Sequence, residues 1–365
     1  MFRFMPRWRG RTMLGAVSAL AILGGPAAAG AMAHPGALYT QTNDPAGNVV
    51  QKFDRGAGGK LTPAGTFGTG GAGLAVLGGR QGAVELSDDE STVYAVNAGS
   101  NTISTFRVTR DGLALEDVIS SGGIAPDSVD EHRGRVYVLN SGGTPNVTAF
   151  RTRDDGTIDP ITDGSRDLPG AQGAAEVSVS PDGSTLVVSE RLSNRLETLA
   201  LDGAGRPGAP AVRPSSGTVP FGFAFGHRDD VIVSEAGQSS VSSYHLGAGG
   251  LDLITASLPV DRGAACWVAV SPNGRLAYTG NASGSISGFA IDQDGSLSPL
   301  GVTVPTASSP RDLDFSRNGR FLYVVLPGNA TTGGRVTGYR VDSDGSLDEV
   351  TSVPAAAGLT GAAAS

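Results

Sequence analysis

The chain has 365 residues, with 27 basic and 35 acidic side chains and a formal net charge of −8. Glycine reaches 55 residues while charged residues are only 17%, which excludes a disordered polyelectrolyte, a collagen triplet and a heptad coiled coil. The acidic balance also excludes broad nucleic-acid binding, which needs a surplus of Lys and Arg to neutralise phosphates.

In chain order, the first segment predicts an export signal. Arg3, Arg7, Arg9 and Arg11 precede an apolar stretch from Met13 to Leu23, shorter than the roughly 20 residues that span a bilayer. Small residues follow and end in Ala31-Met32-Ala33, an A-x-A cleavage pattern. Residues 1–33 therefore read as a signal peptide, and residues 34–365 as a secreted domain without a transmembrane segment. An uncleaved anchor is the alternative. Cys266 is the single cysteine, so the exported chain must fold without an intramolecular disulfide. His34, His132, His227 and His245 show no metal-ligand spacing, and neither a metal nor another cofactor is expected.

From Tyr39 onward one strand pattern recurs seven times. Its copies include Val93-Tyr94-Ala95-Val96-Asn97, Val136-Tyr137-Val138-Leu139-Asn140, Leu186-Val187-Val188-Ser189-Glu190 and Leu322-Tyr323-Val324-Val325-Leu326. From Tyr94 the centres lie 43, 50, 45, 46 and 45 residues apart. An alternating strand and a turn such as Ser180-Pro181-Asp182-Gly183 precede the pattern, and a second alternating strand follows it. Asp111-Gly112, Asp155-Gly156, Asp294-Gly295 and Asp344-Gly345 then read as type I′ hairpins leading into a fourth strand. Four antiparallel strands, seven times over, predict an all-β, seven-bladed β-propeller. The first copy lacks an inner strand, and Leu359 to Ser365 is expected to supply it and close the ring.

If the strands of each blade are lettered A to D outward from the channel, the start of A and the end of B share one rim. Three residues past each strand B centre come Thr42, Asn97, Asn140, Glu190, Glu235, Asn281 and Leu326. They predict a partial ring of polar groups above the channel. Asp127, Glu176, Trp267, Arg311 and Asp312 are added at strand A starts, and Arg191 and Arg195 flank Glu190. Glu190 and Glu235 hold equivalent places in adjacent blades, so they are expected to face one pocket as an acid–base pair. Guanidinium groups beside them match a carboxylate or phosphate in geometry. Trp267 reads either as a stacking platform or as a buried wedge. The opposite rim, carrying His132 and His227, is expected to tolerate substitution.

Ser-Pro-Asp-Gly turns, apolar-Tyr strands and Asp-Gly-Ser-Leu hairpins in seven units resemble the β-propeller lactonase family, which includes 6-phosphogluconolactonases and carboxymuconate-cyclising enzymes. The resemblance covers essentially the whole chain after residue 33. It implies hydrolysis or formation of a small anionic lactone, with Glu235 as acid–base and Arg195 and Arg311 as anion holders. Asn194-Arg195, Ser234-Glu235 and Pro310-Arg311 keep part of the family pattern. Ala175, Phe221, Gly222 and Ala282 replace two histidines and two arginines expected from it. The Tyr-Val-Leu-Asn strands also resemble repeats of surface-associated propellers. That leaves a second reading, a non-catalytic extracellular module for a ligand or a protein partner.

Overall fold

A computed structural model describes Met1 and residues 36–74 and 81–365. The expected signal peptide and its cleavage site lie outside the described residues. Seven four-stranded antiparallel sheets form a ring of blades. Blade 1 takes its inner strand A from Thr360–Ala364, which pairs with Ala37–Gln41 as strand B. Ring closure thus joins the two ends of the propeller, as the missing inner strand predicted. Arg55 Nη2 donates to the Ser365 carbonyl at 2.7 Å and fastens the seam.

The strand B tyrosines explain the repeat. Strand alternation turns them into the space between blades, where Tyr39, Tyr94, Tyr137, Tyr278 and Tyr323 are at most 2% exposed. Several carry their hydroxyls to the next blade. Tyr278 donates to the Gly345 carbonyl at 2.7 Å, and Tyr323 donates to the Gly59 carbonyl at 2.9 Å. Each of these two bonds docks one blade onto the outer hairpin of its neighbour and satisfies the buried hydroxyl, whereas the Tyr137 hydroxyl is buried without a partner among the described residues.

Those hairpins differ in turn type from the sequence expectation. A type I′ turn needs positive φ at both central residues. Gly156, Gly295 and Gly345 have φ of 85°, 82° and 82°, whereas the preceding aspartates are not in the left-handed region. The aspartates act instead as local caps. Asp155 Oδ1 accepts from the Thr157 amide at 3.0 Å, and Asp294 and Asp344 accept likewise from Ser296 and Ser346. An Asx turn followed by a left-handed glycine satisfies both residues of the motif.

Candidate active site at the channel mouth

Inner strands are stitched by side chains reaching the next blade's backbone. Asp130 Oδ2 in blade 3 (strand A Ile124–His132) accepts from the Val179 amide of blade 4 at 2.7 Å. Glu176 in blade 4 (strand A Ala174–Val179) accepts from the Phe223 amide of blade 5 at 2.7 Å. In blade 7 (strand A Asp312–Phe315), Asp312 and Asp314 accept from the Ala362 and Ala364 amides at 3.0 and 2.8 Å. One further side chain crosses the channel. Gln81 Nε2 donates to the carbonyls of Phe223 (3.2 Å) and Val268 (2.7 Å), while its Oε1 accepts from the Val268 amide at 3.0 Å. Sequence reasoning missed Gln81, although Gly222 carries its signal. A Cβ there would lie 2.1 Å from the Gln81 oxygen.

On one side of Gln81 lies a cavity of about 370 Å³. It is lined by Glu85, Asp130, Glu131, Glu176, Asp312 and Asp314 and reaches Asp88, His132 and Pro181 at the A–B turns. Burial raises the pKa of every one of these six carboxyls, and of Asp314 to about 7. The expected acid–base pocket is therefore not this cavity, which faces the His132 rim instead. Of the residues expected on the rim, only Glu176 and Asp312 line it.

Glu190 and Glu235 do not meet. Both are fully buried, each inside its own blade. Glu235 accepts from Ser215, Ser240, Ser242 and Ser257 hydroxyls at 2.8–3.1 Å and from the Gly217 amide at 2.6 Å. A carboxylate with five donors and no exposed surface has no lone pair left for a substrate proton. Glu190 accepts from Ser193 Oγ and from Arg195 Nε (2.7 Å). Arg195 also holds Glu197 at 2.9 Å and the Pro169 carbonyl at 3.0 Å, so its guanidinium is committed within blade 4. Asn97 and Asn281 follow the same rule, each donating to two hydroxyls on strand C of its own blade. The polar ring expected above the channel thus turns inward. Its signal was readable: strand C of each of these blades places two hydrogen-bonding side chains two residues apart, such as Thr102 and Ser104 or Ser240 and Ser242.

What the mouth does carry is cationic and aromatic. Arg191 Cζ sits 4.9 Å from the centre of the Phe221 ring, and Arg311 Cζ sits 5.7 Å from the Trp267 ring. The two rings are tilted at 54° with centroids 5.6 Å apart. Phe221, Arg191 and Arg311 are half-buried, whereas Trp267 is 1% exposed. Trp267 is the wedge of the two readings, and Phe221 presents the accessible face. Burial pushes the Cys266 thiol up to about 11, against the lowering influence of Arg311 and Arg191. It is a neutral S–H that donates to the Ala264 carbonyl. Neither Arg191 nor Arg311 forms an ion pair with a carboxylate among the described residues. Cation–π contact orients them without neutralising them.

The comparisons agree with this architecture. The model of the seven-bladed β-propeller lactonase family matches residues 129–265 and, in an overlapping register, 238–363. A 6-phosphogluconolactonase of Enterobacter sp. (strain 638) is 25% identical over 254 residues, 66% of this chain and 76% of that protein. One from Cronobacter sakazakii is 27% identical over 60% of this chain and 71% of its own. Among solved structures, a putative 6-phosphogluconolactonase from Bacteroides uniformis superposes with a TM-score of 0.75 at 18% identity. It covers 91% of this chain and 100% of its own. A periplasmic gluconolactonase of Pseudomonas aeruginosa gives 0.72 at 18% identity, over 90% and 98% of the two chains. By sequence and by fold, the chain belongs to the seven-bladed β-propeller lactonase family.

Proposed function

We propose that the protein is exported and binds a small anionic lactone, or the hydroxy acid it opens to, at the channel mouth. Arg191 and Arg311 take the anionic group and Phe221 takes the ring face. The observation that carries this reading is the pair of guanidinium groups set on aromatic rings without a carboxylate partner among the described residues. Arginine's planar fork matches a carboxylate in two parallel hydrogen bonds. The family's activity favours the ligand class. Binding without turnover is favoured over hydrolysis because Glu190 and Glu235 are enclosed and the Cys266 thiol is neutral. Family positions that would supply histidines hold Ala175 and Gly222.

The test is a panel of gluconolactone, its phosphate ester and a muconolactone, with their ring-opened acids. Heat of binding and base consumption are measured on the same protein. Binding that weakens in Arg311→Ala, without base consumption above the uncatalysed rate, supports the reading. Turnover that disappears in Arg311→Ala makes the protein a lactone hydrolase. Neither binding nor turnover across the panel overturns both. Export is checked by sequencing the N-terminus of protein recovered from culture medium, where a start at His34 is expected.

A further inference from the structure

Blade 4 breaks a pattern that three other blades share. At the ends of strand B in blades 2, 5 and 6, a buried polar residue is satisfied by neutral hydroxyls on strand C. In blade 4, strand B (Thr185–Glu190) ends in Glu190, and strand C (Arg195–Ala200) answers with Arg195 and Glu197. Two carboxyl groups and one guanidinium are thus enclosed together. Glu190 and Glu197 are both 0% exposed.

Donors are short in number. Arg195 serves Glu190 Oε2 through Nε at 2.7 Å and Glu197 Oε1 through Nη2 at 2.9 Å. Ser193 adds a second donor to Glu190 Oε2. The remaining oxygens, Glu190 Oε1 and Glu197 Oε2, are buried without any donor. Two orphaned carboxyl oxygens on neighbouring strands are satisfied together if one group is protonated and donates to the other. Burial first, and then the neighbouring Glu190 carboxyl group, raises Glu197 to about 8.

We propose that Glu190 and Glu197 share a single proton beneath Arg195, forming a latch at the root of the blade 4 rim turn that opens when that proton is lost. Protonated, the trio is neutral. Loss of the proton to hydroxide, with water formed, leaves two fully buried carboxylates facing one guanidinium and a net charge of −1. Like charges at that range disfavour the closed arrangement. Among the described residues, no group on the flanking strands offsets the change. Strand A contributes Ala174 opposite Glu190, and the loop before it contributes the Pro169 carbonyl, which accepts from Arg195. Strand D (Ala211–Pro214) sets Val212 opposite Glu197, and its Arg213 is turned toward Asp252 at 3.8 Å. The turn held by the latch carries Arg191 and Leu192, whose amides donate to Gly173 and Gln172. This inference does not depend on the ligand proposed for the mouth.

The experiment compares wild-type protein with Glu197→Gln, which keeps the shape and supplies a permanent N–H donor. Infrared difference spectra and thermal melts are recorded from about pH 6.5 to 9.5, bracketing the titration. Wild type is expected to lose one protonated-carboxyl band that the variant lacks, and to lose more Tm over this range than the variant. Glu190→Gln is expected to remove the same band, and it stands in should Glu197→Gln not fold. Superposable carboxyl difference spectra in wild type and variant overturn the shared proton. A missing band with unchanged pH dependence of Tm overturns the latch.

Discussion

Gln81 and Val268 are 187 positions apart and form a reciprocal pair across the channel, the Gln81 amide donating to and accepting from the Val268 backbone. Most bonds between blades join neighbours, whereas this one ties blade 2 directly to blade 6 across the channel. It also separates the acidic cavity from the cationic mouth. Gln81→Ala removes one accepted and two donated bonds at about 1 kcal/mol each. A loss of about 2–3 kcal/mol is expected in urea unfolding, with an unchanged m-value. Gln81→Glu is expected to cost more, because a carboxylate would face the Phe223 and Val268 carbonyls. An unchanged midpoint in both variants would show that the crossing carries no load.

Acid should stabilise this protein. Glu85, Asp130, Glu131, Glu176, Asp312 and Asp314 all have pKa values raised by burial, Asp314 to about 7. A carboxyl raised on folding contributes stability that is full below its unfolded value and is lost as pH climbs through its folded value. Thermal melts should therefore rise from about pH 8 to about pH 5. Below that range the opposite group takes over. Hydrogen bonds in the turns lower the pKa of Asp89, Asp182, Asp294 and Asp344, so their protonation in strong acid removes stability. Asp314→Asn should flatten the upper slope, and a slope of opposite sign in wild type would refute the assignment.

The fold was legible because its repeat is a local pattern. Tyr94, Tyr137, Tyr278 and Tyr323 recur at blade spacing, and each is buried where strand alternation puts it. The site was less legible, because the direction of a strand-end side chain depends on partners that spacing alone does not weigh. Glu235 was read as facing the channel, yet the serines of strands C and D draw it inside the blade. Gln81 was missed because its partners lie in blades 5 and 6, beyond any local pattern. Arg311 could be placed from sequence because it directly precedes an inner strand, and its guanidinium lies against Trp267.

Removing residues 359–365 should prevent closure of the ring. Strand B of blade 1 would lose its partner and expose Leu38 and Tyr39, at present 0% and 2% exposed. Asp312 and Asp314 would lose the Ala362 and Ala364 amides that now satisfy them. The combined cost exceeds about 5 kcal/mol, the lower end of a whole domain's stability. Calorimetry is expected to show no cooperative transition. A truncated protein that still melts sharply would mean that six complete blades suffice.

Arg195 and Arg311 should fail in different ways when removed. Arg195 has carboxylates on two sides, at 2.7 and 2.9 Å, so Arg195→Ala leaves buried acids without their counter-charge. Breaking such a buried group costs about 3–5 kcal/mol, read as a fall in Tm, and the fall should shrink when Glu197→Gln is added. Among the described residues Arg311 has no carboxylate to leave behind, only the Trp267 ring. Arg311→Ala should therefore change stability by less than about 1 kcal/mol. Losing one charged contact to an anionic ligand costs about 1.5–3 kcal/mol, or roughly ten- to a hundredfold in affinity. Calorimetric titration and thermal melting on the same two variants separate these effects. The reverse pattern, affinity lost with Arg195 and stability lost with Arg311, would move the anion site from Arg311 to Arg195.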